Sequence, residues 1–65
     1  MQIELNGLPV TTDAATLEAL IAERGLDAGS VATALNGAFV PRGMRPATPL
    51  IPGAKVEVLS PMQGG

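Results

Sequence analysis

Two Asn-Gly dipeptides constrain the fold of this chain more than any other feature. A two-residue type I′ turn needs positive φ at both central positions, and Asn-Gly accepts this most readily. Asn6-Gly7 separates residues 1–5 from 8–12, and Asn36-Gly37 separates 31–35 from 38–40. In the first run Met1, Ile3 and Leu5 alternate with Gln2 and Glu4, the period of a half-buried strand. Pro9 has no N–H to give a ladder, so the returning strand belongs at a sheet edge. Residues 31–35 suit a strand but show no polar face, which fits one covered on both sides or centrally placed. Pro41 closes the short strand 38–40. The chain thus carries two β-hairpins.

Between the hairpins the period changes. Leu17, Leu20 and Ile21 fall at i, i+3 and i+4, one apolar stripe of a helix. Asp13 or Thr16 is placed to cap its start, and Gly25 to end it in a left-handed conformation. The pattern predicts a helix of about nine to eleven residues within 13–24. Residues 42–52 hold Pro46, Pro49 and Pro52, which forbid a regular helix or a central strand. Leu50 and Ile51 are the expected anchors of that segment to the core. After a Pro52-Gly53 turn, residues 55–59 alternate again, with Val56 and Val58 opposed to Lys55, Glu57 and Leu59. One helix covering one face of a sheet is an α+β arrangement in two layers. The first and last strands can then pair in parallel, with the helix inside the crossover.

Composition narrows the chemistry. With 65 residues the chain is one domain, near the lower limit for folding without staples. Its 46% apolar content rules out disorder. There is no Cys, no His and a single Lys, so most side chains that act as nucleophile or base near neutral pH are missing. A net charge of −2 argues against nucleic acid or an anionic membrane as partner. No apolar run is long enough to span a bilayer, and Met1 leads directly into a strand pattern, so a cytoplasmic protein is expected. Neither a metal cage nor a glycine-rich phosphate loop is visible.

The last five residues, Pro61-Met62-Gln63-Gly64-Gly65, follow the final strand directly. Two glycines leave no side chain beside the terminal carboxyl group and allow φ/ψ values closed to other residues. From Ser60 the chain extends about 20 Å at roughly 3.3 Å per residue. Such a tail either suits threading into another protein's active site or is a frayed chain end without a role, and the division expected is a domain over 1–60 and a flexible tail over 61–65. Leu59, apolar on the face opposite Val56 and Val58, either packs against Phe39 or the proline loop or forms a docking patch beside the tail, with Met62 extending it. Phe39, the only aromatic residue, is either core or a contact residue, the core being the preferred reading. Arg42 and Arg45 are candidate contacts for acidic groups on a partner, Arg42 being the one singled out, although loop arginines are usually just solvated. Glu18, Glu23 and Asp27 read as a plain helix exterior.

With these elements placed, the chain resembles the ThiS family, the ubiquitin-like β-grasp sulfur carriers of thiamine biosynthesis. The resemblance is carried by the opening strand with Asn6-Gly7, the helix over 16–25, and Ala34-Leu35-Asn36-Gly37-Ala38-Phe39-Val40-Pro41-Arg42. It continues through Pro52-Gly53-Ala54-Lys55-Val56-Glu57-Val58 to Gly64-Gly65. It implies a mixed four- to five-stranded sheet packed on one helix. It also implies that a ubiquitin-activating-like adenylyltransferase uses ATP to adenylate the Gly65 carboxylate. Sulfur from a cysteine desulfurase or a related donor then yields a thiocarboxylate, which thiazole synthase consumes. The carrier is a co-substrate, monomeric alone, and holds no cofactor. Many members carry a Trp shortly after the Pro-Arg that matches Pro41-Arg42; here Met44 and Arg45 occupy that region. Two other readings stand beside this one: a carrier for another sulfur pathway, such as the small subunit of molybdopterin synthase, and a β-grasp interaction module without covalent chemistry.

Overall fold

The computed structural model describes residues 1–60, in which two hairpins flank one central strand. The elements run β1 (Gln2–Leu5), β2 (Leu8–Thr11), helix α1 (Leu17–Glu23), β3 (Ala32–Leu35), β4 (Ala38–Val40), a 3-10 helix (Arg42–Ala47) and β5 (Lys55–Leu59). Both hairpins close on the expected turns, with φ of 51° and 84° at Asn6 and Gly7 and of 50° and 87° at Asn36 and Gly37. Positive φ at both central residues of each turn is the type I′ requirement. The sheet order is β2-β1-β5-β3-β4, which puts Pro9 on an edge strand as its missing N–H demands. β5 pairs in parallel with β1 and antiparallel with β3, so the last strand joins the hairpins into one sheet.

The turn asparagines also hold β5. The Asn6 side chain donates from Nδ2 to the Val58 carbonyl (3.1 Å) and accepts from the Val58 N–H at Oδ1 (2.8 Å). Asn36 Oδ1 accepts from the Lys55 N–H at 3.0 Å. Each side chain does for β5 what another ladder position would do.

One face of the sheet is covered. Ile3, Val56, Val58 and Val40 are buried there against Leu17, Leu20 and Ile21 of α1, with Ala14, Leu50 and Ala54 filling the rim. Burial of that apolar stripe accounts for a helix too short to persist alone. At seven residues α1 is shorter than its pattern predicts, because Thr16 rather than Asp13 is its cap. The Thr16 hydroxyl accepts from the Ala19 N–H at 3.1 Å, and Gly25 follows at φ 69°.

Four expectations need correction here. Phe39 is not in the core but 70% exposed. Leu35 pairs with Ala38 and Thr33 with Val40, so alternation gives the inward positions of β4 to Ala38 and Val40 and turns Phe39 outward. The prolines of residues 42–52 exclude an α-helix but not the 3-10 helix, which contains Pro46. Of the two anchors, Leu50 is buried and Ile51 is exposed. β3 is paired on both edges, yet only its Thr33 face is buried; Ala32 is exposed.

Candidate functional site

The site is assembled where β5 ends. The strand alternates exposed and buried residues, which sends Val56 and Val58 inward and leaves Lys55, Glu57 and Leu59 on the outer face. Leu59 is 69% exposed and stands opposite Ala32 of β3. It shares a hollow with Phe39 but stays open to solvent there. Next to it, Glu57 pairs with Ala34, and Ala34 with Phe39. Two alanines thus form the floor, and Phe39 and Leu59 the walls, of a hollow of about 110 Å³ on the open sheet face.

A second groove meets the same strand end. It is lined by Gly29, Ser30, Val31, Ala32, Leu59 and Ser60, so the root of the tail lies between an apolar hollow and this loop. The loop is ordered from within. Asp27 accepts from the Gly29 N–H (3.1 Å) and the Ser30 hydroxyl (2.7 Å), and these bonds, the Ser30 one foremost, hold its carboxyl below the usual value of 3.8. Arg42 lies over the same loop, exposed at the start of the 3-10 helix. A Cβ built on Gly29 would stand 3.3 Å from its guanidinium, so Gly29 leaves room for Arg42.

Arg45 overturns the expectation of a solvated loop arginine, since it is only 2% exposed. Nε donates to Thr33 Oγ1 (3.0 Å), Nη1 to the Ala28 carbonyl (2.9 Å) and Nη2 to the Val31 carbonyl (2.7 Å). Thr33 in turn donates to the Val40 carbonyl at 2.9 Å. A planar fork reaching three uncharged oxygens ties the 28–31 loop and both strands of the second hairpin to the 3-10 helix. Nothing in the sequence separates this arginine from a solvated one. Glu23 also does more than face solvent: it accepts from the Thr12 hydroxyl and from the Asp13 N–H at 3.2 Å.

Gly64, Gly65 and Met62 lie outside the described residues. Among the described residues no cluster of three His, Cys, Asp or Glu side chains is placed to hold a metal. No helix there is long and apolar enough to cross a membrane.

The ThiS family model matches residues 2–65, from the first strand through the terminal glycines. The chain belongs to the ThiS family. A crystal structure of the thiamine biosynthesis protein ThiS from Geobacter metallireducens superposes with a TM-score of 0.84 at 33% identity, covering 100% of both chains. A solution NMR structure of a thiamine biosynthesis protein from the same organism gives 0.83 at 33% identity, covering 100% of this chain and 88% of that one. No curated protein sequence matches. The mixed five-stranded sheet on a single helix is thus the β-grasp fold of the ThiS family, as the resemblance implies.

Proposed function

We propose that this ThiS-family chain is the sulfur carrier of thiazole formation in thiamine biosynthesis, and that the carboxyl carbon of Gly65 is its functional atom. The observation that carries the reading is that Gly64-Gly65 follows within six residues of β5 in a chain that matches the family from residue 2 to residue 65. An ionised carboxylate, with an ordinary pKa of about 3.3–3.7, is a poor electrophile. An activating enzyme related to those of ubiquitin transfers AMP from ATP to a Gly65 oxygen, with pyrophosphate leaving. The terminal sulfur of a persulfide supplied by a cysteine desulfurase or similar donor attacks the acyl carbon and AMP departs. A thiol then reduces the S–S bond of the resulting acyl disulfide, itself ending as a disulfide, and a thiocarboxylate remains. Thiazole synthase takes up that sulfur. ATP binds the partner, and the chain itself is a protein co-substrate rather than an enzyme, acting as a monomer in the cytoplasm.

The parts divide the labour. Residues 1–60 form the recognised body and 61–65 the tail that enters partner sites. Gly64 is the residue that passes the narrow part of those sites, having no Cβ to clash there. Leu59, with Met62 beyond it, offers apolar contact at the tail root, and Arg42 a cation on the neighbouring loop.

Thiazole formation reconstituted with the activating enzyme, sulfur donor and synthase tests this. Extending the chain past Gly65 by a short tag, or substituting Gly64→Val, is expected to abolish sulfur delivery while leaving the circular dichroism spectrum unchanged. Retained delivery by the extended chain would favour the plain interaction module, which has no use for a free carboxylate.

A further inference from the structure

β5 stops one step short of the next partner its ladder would meet. On its β1 side the Val56 carbonyl accepts from the Asn6 N–H (2.9 Å), and the Asn6 side chain takes the Val58 N–H and carbonyl. On its β3 side the Lys55 carbonyl accepts from the Asn36 N–H at 2.7 Å, and Glu57 and Leu59 follow opposite Ala34 and Ala32. The backbone groups of β5 therefore turn to β3 at its odd positions. Continued past Leu59, this alternation turns residue 61 to β3, and the register sets it against Ser30. Ser60 turns to the β1 side, where β1 has already ended in the Asn6-Gly7 turn. Among the described residues, Ser30 is thus where the ladder would be carried further.

Both bonds of that pair are pre-empted. A bonded antiparallel pair exchanges two N–H···O bonds. Pro61 lies outside the described residues, but a proline has no N–H to give to the Ser30 carbonyl. The Ser30 N–H is already given to the Asp27 carbonyl at 2.9 Å, which closes a turn. The Asp27 carboxylate fastens the turn through the Gly29 N–H and the Ser30 hydroxyl. Open backbone groups beside a strand end are a template for further pairing, and proline is one of the residues that blocks it.

We propose that Pro61 and Asp27 together form a ladder stop, two positioning residues that keep the tail from pairing onto the 27–30 turn and so preserve its full reach for the activating enzyme. The inference rests on the carrier reading above and assigns two residues to it that touch neither ATP nor the reacting carboxyl group. Length gives the stop its value. Five residues past Ser60 reach at most about 17 Å, whereas a tail paired through residue 62 keeps a free lead of about 10 Å. A paired tail is also withheld from any site that must enclose Gly65. The apparent affinity of the enzyme for the chain then falls with the fraction left unpaired.

The test has two arms, amide hydrogen exchange on the ¹⁵N-labelled chain and the kinetics of sulfur loading by the ubiquitin-activating-like enzyme with ATP and a sulfur donor. Pro61→Val supplies the missing N–H, and adding Asp27→Ala frees that of Ser30. The new amide at position 61 should exchange about fivefold more slowly than in an unstructured chain in the single variant, and about twentyfold in the double. KM for the chain should rise by similar factors while kcat holds, because pairing removes competent chain without altering the bound complex. A synthetic chain with N-methylalanine at position 61, which again lacks the N–H, should exchange and load like the native one. Position 61 lies beyond the folded domain, so Pro61→Val decides the matter alone if Asp27→Ala loses the dispersed spectrum of the folded chain. An unprotected amide at position 61, or protection there with an unchanged KM, overturns the proposal. So does an N-methylalanine chain that loads like Pro61→Val, which would assign the effect to the proline ring. The exchange arm needs no enzyme. A native chain that gains no sulfur from an enzyme competent on another carrier therefore defeats only the carrier reading, and exchange still decides whether the ladder is stopped.

Discussion

Arg45 shows how one side chain can order the region from which the tail departs. Its guanidinium is sealed between the 3-10 helix and β3, where three oxygens accept hydrogen bonds from its N–H groups. A hydrogen bond to a charged group contributes about 1.5–3 kcal/mol, and a buried acceptor left bare costs about 1–3 kcal/mol. Arg45→Met keeps the aliphatic stem but strands the Ala28 and Val31 carbonyls and half of the Thr33 hydroxyl's bonding. Chemical denaturation of that variant is expected to show a loss of about 3 kcal/mol, a large share of the stability of a domain this small. A loss below about 0.5 kcal/mol would mean that water replaces the guanidinium without cost. The same residue marks a limit of sequence reading. A charge in a proline-rich loop reads as solvated because burial is decided by the turns of a 3-10 helix, which leave no periodic signature in six residues.

At the level of elements, α1 is fastened at both ends. Thr16 caps its start, and Glu23 in its last turn accepts from the Thr12 hydroxyl and the Asp13 N–H where β2 gives way to the helix. The Thr12 bond foremost, then the Asp13 one, lowers the Glu23 pKa below its usual 4.5. A carboxyl depressed by folding stabilises the native state above its unfolded pKa, and this contribution disappears as pH falls through the lowered folded value. The stability difference between the native chain and Glu23→Gln should therefore be present at about pH 6 and shrink towards about pH 3. Urea midpoints at the two pH values measure it, and a constant difference would show that the latch is not ionic. Most elements were legible from periodicity and turn chemistry. Both hairpins, the edge position of Pro9 and the alternation of β5 follow from local residue types. Phe39 was not, because three residues of β4 contain both Phe39 and Val40, and only the register against Thr33 and Leu35 decides which faces α1. The hollow was illegible for the same reason: it joins Ala32 and Ala34 to Phe39 and Leu59 across three strands.

For the whole molecule, the last strand is at once the centre of the sheet and the lead to the tail. β5 lies between β1 and β3, gripped by Asn6 and Asn36, so the tail emerges from the best-supported strand of the fold. Family membership and the terminal glycines were both legible in the sequence, whereas the two surfaces that meet at Leu59 required the sheet order. On the proposed reading, a firmly held body presents a carboxylate on a short lead to one enzyme after another. The intact mass of the chain, with an untagged C-terminus, tests this most directly when measured before and after ATP, the activating enzyme and a sulfur donor. The expected result is a gain equal to the exchange of one oxygen for one sulfur, localised to Gly65 and lost when Gly65 is deleted. An unchanged mass, with an activating enzyme shown to be competent on another carrier, would contradict it.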